Sequence, residues 1–194
     1  MESYSTLKNR AIDALRNNWL ICVASTLVMC TISGFLSYTL VGLFFVVLPI
    51  EFGYRASFLN FIRNGNYEIN DLFLAFKSSE YMRVVGTKSL QSVYIFLWSL
   101  LFVIPGIVKA YSYSLVSYIL ADTDLKYDDA IDRSRELMRG HKMELFLLHL
   151  SFIGWIFAAF FTCGIGFYWL NVYIEVTNVQ FYNSLLANER QQFV

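Results

Sequence analysis

From Trp19 to Ile50 the chain runs for 32 residues without one Asp, Glu, Lys or Arg. A second charge-free run extends from Gln91 to Val108. Water does not accommodate continuous apolar surface of that length, whereas a bilayer does, and about 18 or more apolar residues in succession read as a membrane span. The expected fold is all-α: a polytopic membrane helix bundle forming a single integral domain over residues 1–194.

Composition agrees. Only 15% of residues are charged, against about 25% in a typical soluble domain, and mean hydropathy is +0.49. The formal net charge is zero, so the distribution of charge carries the information, and nucleic acid is not an expected partner. Aromatic residues reach 18%, as expected where Tyr and Trp anchor helix ends at the headgroup level. Cys22, Cys30 and Cys163 lie in or beside apolar runs without paired spacing. They read as buried packing residues rather than a disulfide framework or metal site. The charged stretch before Trp19 is too long for a signal peptide, and no A-x-A site follows; an uncleaved first span is expected.

The 32-residue run would make a helix of about 48 Å, longer than a hydrocarbon core of about 30 Å, so it must break. Helix 1 is placed at 15–38 and helix 2 at 42–62, around the weak zone Gly34–Gly42. Pro49 either kinks helix 2 near Phe45 or starts it afresh as a first-turn proline. Pro105-Gly106 divides the next apolar stretch into helix 3 at 81–104 and helix 4 at 105–121. Helix 5 is placed at 145–162 and helix 6 at 167–186, joined by a tight turn at Cys163-Gly-Ile-Gly166. Between helices 2 and 3, Asp71 to Lys77 read as a short interfacial helix with Asn70 as N-cap and Phe73 and Phe76 dipping into lipid. Between helices 4 and 5, Ala130, Ile131, Ser134, Leu137 and Met138 fall at helical spacing, which predicts an amphipathic cytoplasmic helix ended by Gly140. With six spans, 13 of the 15 basic residues fall on one side. The positive-inside rule then puts both termini in the cytoplasm, with the cytoplasmic membrane as the location.

Four ionisable residues fall within spans: Glu51 and Arg55, which share a helix face at i, i+4, and Lys109 and Glu175. Such groups usually face the bundle interior and find partners. Polar stripes run with them: Lys109, Ser112, Tyr113 and Ser117 on helix 4; Asn171, Glu175, Asn178 and Tyr182 on helix 6. Glu51, Arg55, Lys109, Ser112, Tyr113, Ser117, Asn171, Glu175 and Asn178 therefore form one candidate intramembrane network. It either lines a polar path or holds the bundle together through interhelical hydrogen bonds. Arg133, Arg135, Arg139, His141 and Lys142 make a basic face suited to anionic headgroups, or an ordinary positive-inside loop.

The acids Asp122, Asp124, Asp128, Asp129 and Asp132 lack the glycine and terminal Glu of an EF-hand loop and suit a helix N-terminus. There is no H-E-x-x-H, no G-x-S-x-G and no kinase set. No cofactor, metal or catalytic residue is expected.

Lys109-Ala-Tyr-Ser-Tyr, Tyr118-Ile-Leu-Ala-Asp122, Ala130-Ile-x-x-Ser134, Leu137-Met-x-Gly-His-Lys142, Leu150-Ser-Phe-Ile-Gly-Trp155, Gly164-Ile-Gly166 and Phe181-Tyr182 occur in that order. The string resembles a bacterial family of multi-pass membrane proteins known as domain of unknown function nine-seventy-five. The likeness extends to Pro49-x-x-x-Gly53-Tyr54 in the first half. It implies a cytoplasmic-membrane protein with no established activity. A distant likeness of such proteins to the membrane anchor of glycerophosphodiesterases brings no phosphodiesterase activity here. The expected function is non-enzymatic: an accessory, scaffold or lipid-interacting component whose partners are the bilayer, other membrane proteins or a second copy. The alternative is a small transporter or channel using the polar network.

Overall fold

The computed structural model describes residues 3–36, 43–76, 80–162 and 164–192. These residues are helical almost throughout, and no strand occurs among them. Helix α1, Tyr4–Leu15, places Leu7, Ala11 and Leu15 on one buried stripe. It packs against the last helix, α10, Gly166–Gln192. Arg16, Asn17 and Asn18 then turn the chain by 96° into α2, Trp19–Leu36.

After residues outside the described set, a π-helical turn at Leu43–Val47 leads into α3, Leu48–Asn64. Pro49 falls in the first turn of α3, where a missing donor costs least. In a regular helix the donor at position 49 would serve the Phe45 carbonyl; here the Tyr81 hydroxyl donates to that carbonyl at 2.8 Å. Gly65, at φ +77, ends α3 by donating to the Phe61 carbonyl. The next segment is a 3-10 helix from Ile69 to Phe76. Asn70 lies inside it rather than capping it, and Lys77 lies outside the described residues. Phe73 and Phe76 are exposed, as expected. Gly53 permits the close packing of α3 on this segment, since a Cβ there would collide with the Leu72 carbonyl.

Helix α4, Tyr81–Leu101, and α5, Val103–Ser112, form a hairpin about Phe102. The break falls before Pro105, because proline fits the first turn of the following helix. Helix 4 is not continuous: α5 stops at Ser112 and α6 runs from Val116 to Asp122. Helix 5 is likewise divided into α8, Lys142–Leu150, and α9, Ile153–Phe161. The expected amphipathic helix is α7, Tyr127–Leu137, with Ala130, Ile131, Ser134 and Leu137 buried. Its entry residue Tyr127 holds a left-handed φ of 47°. The Tyr127 amide donates to Thr87 Oγ1 at 2.8 Å, and its ring sits where Gly86 has no Cβ.

Among the described residues three helical stretches are long and apolar enough to cross a membrane: Phe45–Asn64, Val103–Asp122 and Lys142–Phe161. Counting the bent pair α1–α2 as one span makes four. This is fewer than the six expected. Helix α4 carries Arg83 and Lys88, and α10 carries Asn171, Glu175 and Asn178. Those polar residues dilute both helices, which are otherwise long enough.

Large apolar side chains lie exposed at two tips of the bundle while several polar ones are buried. Phe96, Leu100, Phe102, Val103 and Ile104 are exposed around the α4–α5 tip, and Phe157, Phe160, Phe161 and Ile165 around the α9–α10 tip. Meanwhile Ser25, Thr26, Arg83, Lys88, Ser117 and Glu175 are buried. Near α2, Tyr67 donates to Ser25 Oγ at 2.6 Å and meets Ser57 Oγ at 3.0 Å, while the Tyr54 hydroxyl meets Thr26 Oγ1 at 2.9 Å. Burial pushes the Tyr67 phenol up to about 12.

Candidate polar cavity

The break between α5 and α6 organises the interior. Ending a helix inside a protein frees carbonyls that need donors. Three consecutive carbonyls are served here by side chains from three other elements. Ser134 Oγ of α7 donates to the Ser112 carbonyl at 2.9 Å, Gln91 Nε2 of α4 to Tyr113 at 2.9 Å, and Arg55 Nη1 of α3 to Ser114 at 3.2 Å. The α8–α9 break has the same device, with Lys8 Nζ donating to the Ser151 carbonyl at 3.1 Å.

Arg55 and Gln91 thereby meet beside one another, and the remaining charges assemble around them. Arg55 Nη2 lies 3.1 Å from Glu51 Oε1, and Lys88 Nζ lies 3.4 Å from the same oxygen. Lys88 also donates to Ser117 Oγ at 3.2 Å. Tyr118, also in the wall, donates to Glu175 at 2.5 Å. His149 Nε2 is 2.9 Å from Asn178 Oδ1, and its Nδ1 is 3.3 Å from the Tyr111 hydroxyl. Glu51, Arg55, Lys88, Gln91, His149 and Asn178 line a cavity of about 310 Å³ together with apolar residues such as Leu48, Ile95 and Leu145, and Glu175 lies outside its lining. Side-chain exposures of 27% for Glu51 and 28% for Arg55 accompany their place in its wall.

The expected network is thus partly assembled. Glu51, Arg55, Ser117, Glu175 and Asn178 join it, while Ser112 and Tyr113 contribute backbone carbonyls. Lys109 does not join: its amine lies 4.5 Å from the centre of the Trp98 ring. The reason is the break at Tyr113–Leu115, which interrupts the helical phase that would have set Lys109 above Ser117. Asn171 is exposed, in the same stretch of α10 as exposed Phe167 and Trp169.

Lys88 and Gln91 were not anticipated. Lys88 and Arg83 both lie in α4, at 5% and 9% exposure. The signal was the i, i+3, i+4 spacing of Lys88, Gln91 and Ser92 at the start of a span. Arg83 pairs with Glu80 and donates to the carbonyls of Leu120, Thr123 and Leu125, tying α4 to the end of α6.

A second cluster sits farther along the same helices. Arg63 of α3 grips both Asp122 oxygens at the end of α6 and reaches Asn183 of α10 at 3.2 Å. Tyr182 donates to Asp122 at 2.8 Å, and its ring stacks on that of Tyr118, with centroids 5.4 Å apart. The stacked rings connect the cavity wall to this cluster.

The expected headgroup face is largely neutralised. Arg133 pairs with Glu189 at 2.6 Å and Glu136 at 3.0 Å, Arg135 with Asp132 at 2.6 Å, and His141 with Glu144 at 2.9 Å. The Glu189 hydrogen bond holds the Arg133 guanidinium above its ordinary range. Arg139 is exposed, and Lys142 opens α8.

A family model described as "Protein of unknown function (DUF975)" matches residues 100–189. This is narrower than the resemblance read from the sequence, which extended into the first half. The match covers α5 to most of α10 and so includes Ser114, Tyr118, His149, Glu175 and Asn178. Glu51, Arg55, Lys88 and Gln91 lie outside it. No curated protein and no solved structure matches the chain.

Proposed function

We propose that this chain, whose residues 100–189 match the DUF975 family model, is a multi-span protein of the bacterial cytoplasmic membrane. It holds a small polar solute at bilayer depth and passes it across without covalent chemistry. The observation that carries this reading is the cavity of about 310 Å³ among Glu51, Arg55, Lys88, Gln91, His149 and Asn178. A cavity of that size is at the lower end of small-molecule sites, at roughly 300–1,000 Å³. Polar groups gathered around such a space inside an apolar exterior mark substrate paths in membrane proteins. The two broken helices at bilayer depth support the same reading, because irregular backbone there is tolerated where it is buried in protein or lines a cavity.

The exposed apolar tips of α4–α5 and α9–α10 support a lipid surround, since soluble monomers rarely leave contiguous apolar patches beyond a few hundred Å². The basic residues of the chain ends and of the 122–142 loop support cytoplasmic termini. The cavity wall offers binding groups rather than a nucleophile and base. Ser92 and Ser114 hydroxyls donate to carbonyls of their own segments, and His149 is held between Asn178 and Tyr111.

The scaffold reading predicts that the same groups only fasten helices. Reconstitution into liposomes separates the two. Wild type and Lys109→Ala should admit glycine or glycerol faster than empty liposomes, by light scattering after an osmotic step, and Glu51→Gln should not. Equal permeability for empty, wild-type and Glu51→Gln vesicles, with both proteins folded, would leave the scaffold reading in possession.

A further inference from the structure

We infer that the cavity takes a zwitterion: a primary ammonium a few bonds from a carboxylate or phosphate. This rests on the cavity being a ligand site, as proposed above, and adds the class of ligand.

Two observations lead to it. The first is charge. The four ionisable groups of the network are Glu51, Glu175, Arg55 and Lys88, which cancel formally. A ligand with net charge would leave one charge unmatched where the dielectric is low, and such a charge is costly. The cancellation is uneven in space, however. Arg55 and Lys88 both lean on one oxygen of Glu51, while Glu175 lies outside the cavity lining, engaged by Tyr118. Two cations around one carboxylate leave room for an anionic group of a ligand.

The second is a missing hydrogen bond. Gln91 Oε1 is buried and has no hydrogen-bond partner. Its amide cannot simply turn over, because Nε2 is committed to the Tyr113 carbonyl. A buried acceptor without a donor costs about 1–3 kcal/mol, so the site is incomplete as it stands. Gln91 is in the cavity wall, next to Arg55 by way of the adjacent carbonyls that the two side chains serve. Gln91 Oε1 itself presents no surface to the cavity, so once the Gln91 side chain shifts to bring it to the wall, an ammonium there and an oxyanion toward Arg55 and Lys88 would complete both deficits with one small molecule. A free amino acid and the ethanolamine headgroup of a phospholipid share this chemistry.

The test is thermal unfolding of the purified full-length protein in mild detergent with single probes: glycine, phosphoethanolamine, acetate, ethylamine and glycerol. Wild type should be stabilised by glycine or phosphoethanolamine, with shifts of a few degrees at saturation. Acetate and ethylamine should give none. Charge variants should change the choice: Glu51→Gln should respond to acetate alone, and Lys88→Met to ethylamine alone. Gln91→Leu should weaken the glycine response at least tenfold in concentration; the charge variants serve if this one does not fold. In nanodiscs, phosphatidylethanolamine retained one per chain, with glycine then inert, identifies the lipid headgroup. A glycine response in phosphatidylglycerol nanodiscs identifies a free solute. If glycerol or a singly charged probe stabilises wild type as well as glycine does, the zwitterion inference falls and the cavity reading stands. Should no probe shift wild type or any variant, both fall.

Discussion

Two polar clusters share helices α3, α6 and α10, the inner one adding Lys88 and Gln91 of α4 and His149 of α8, yet they differ in how completely their groups are used. In the outer one both Asp122 oxygens are occupied by Arg63, Tyr182 adds a further bond, and Asn183 receives the remaining reach of Arg63. In the inner one two cations share a single oxygen of Glu51, Gln91 Oε1 has no protein partner, and the Glu51 and Arg55 side chains border the cavity. A saturated cluster can only fasten helices together. An unsaturated one retains capacity for another molecule. Solvent also treats them differently. Arg63 keeps 39% of its side chain exposed and can turn to water if its partner is lost, whereas Lys88, at 6%, cannot.

The largest effect should come from Glu51→Ala, which leaves Arg55 and Lys88 without their shared carboxylate. Removing one member of a buried ion pair costs about 3–5 kcal/mol, and thermal or denaturant unfolding in detergent should report a loss near the lower figure. Next, Tyr118→Phe takes the short hydrogen bond from Glu175; a bond to a charged group contributes about 1.5–3 kcal/mol, measurable in the same way. Asp122→Ala should be milder, about 1–2 kcal/mol, because Arg63 rehydrates and only the Tyr182 hydroxyl stays buried without an acceptor. If Asp122→Ala proves as damaging as Glu51→Ala, the contrast between the clusters is broken. The smallest effect belongs to Lys109→Ala. A loss of about 0.5–1 kcal/mol, the value of an exposed cation–π contact, with solute entry unchanged, would sharpen the boundary of the network. Loss of solute entry in that variant would return Lys109 to it.

Much of this was legible beforehand. Glu51 and Arg55 at i, i+4 in an apolar run had to find company, and they have each other. Glu175 and Asn178 share a face of α10, as their spacing required. Ala130, Ile131, Ser134 and Leu137 marked the buried stripe of α7. Three things were hidden. Lys88 stands at the entrance to an apolar run, where a basic residue usually belongs to the interface, so its inward direction could not be read from position. Lys109 matched the Ser117 stripe in spacing, but spacing assumes an unbroken helix. The clamp of Arg63 on Asp122 joins positions 59 apart in the chain, a separation over which local pattern carries no information.

The sequence by itself determined that this chain is helical, that its charges gather between the apolar runs with a few inside them, and where α4 and α10 begin. Those properties follow from local terms: apolar run length, proline and glycine placement, and the 3.6-residue period. Only the tertiary structure decided where helices 4 and 5 break and which side chains serve the freed carbonyls. It also decided that Lys88 and Gln91, rather than Lys109, complete the polar interior. A helix can stop inside a packed bundle only if donors from other elements reach its freed carbonyls. Whether Ser134, Gln91, Arg55 and Lys8 are within reach is a property of the packed bundle rather than of any one segment.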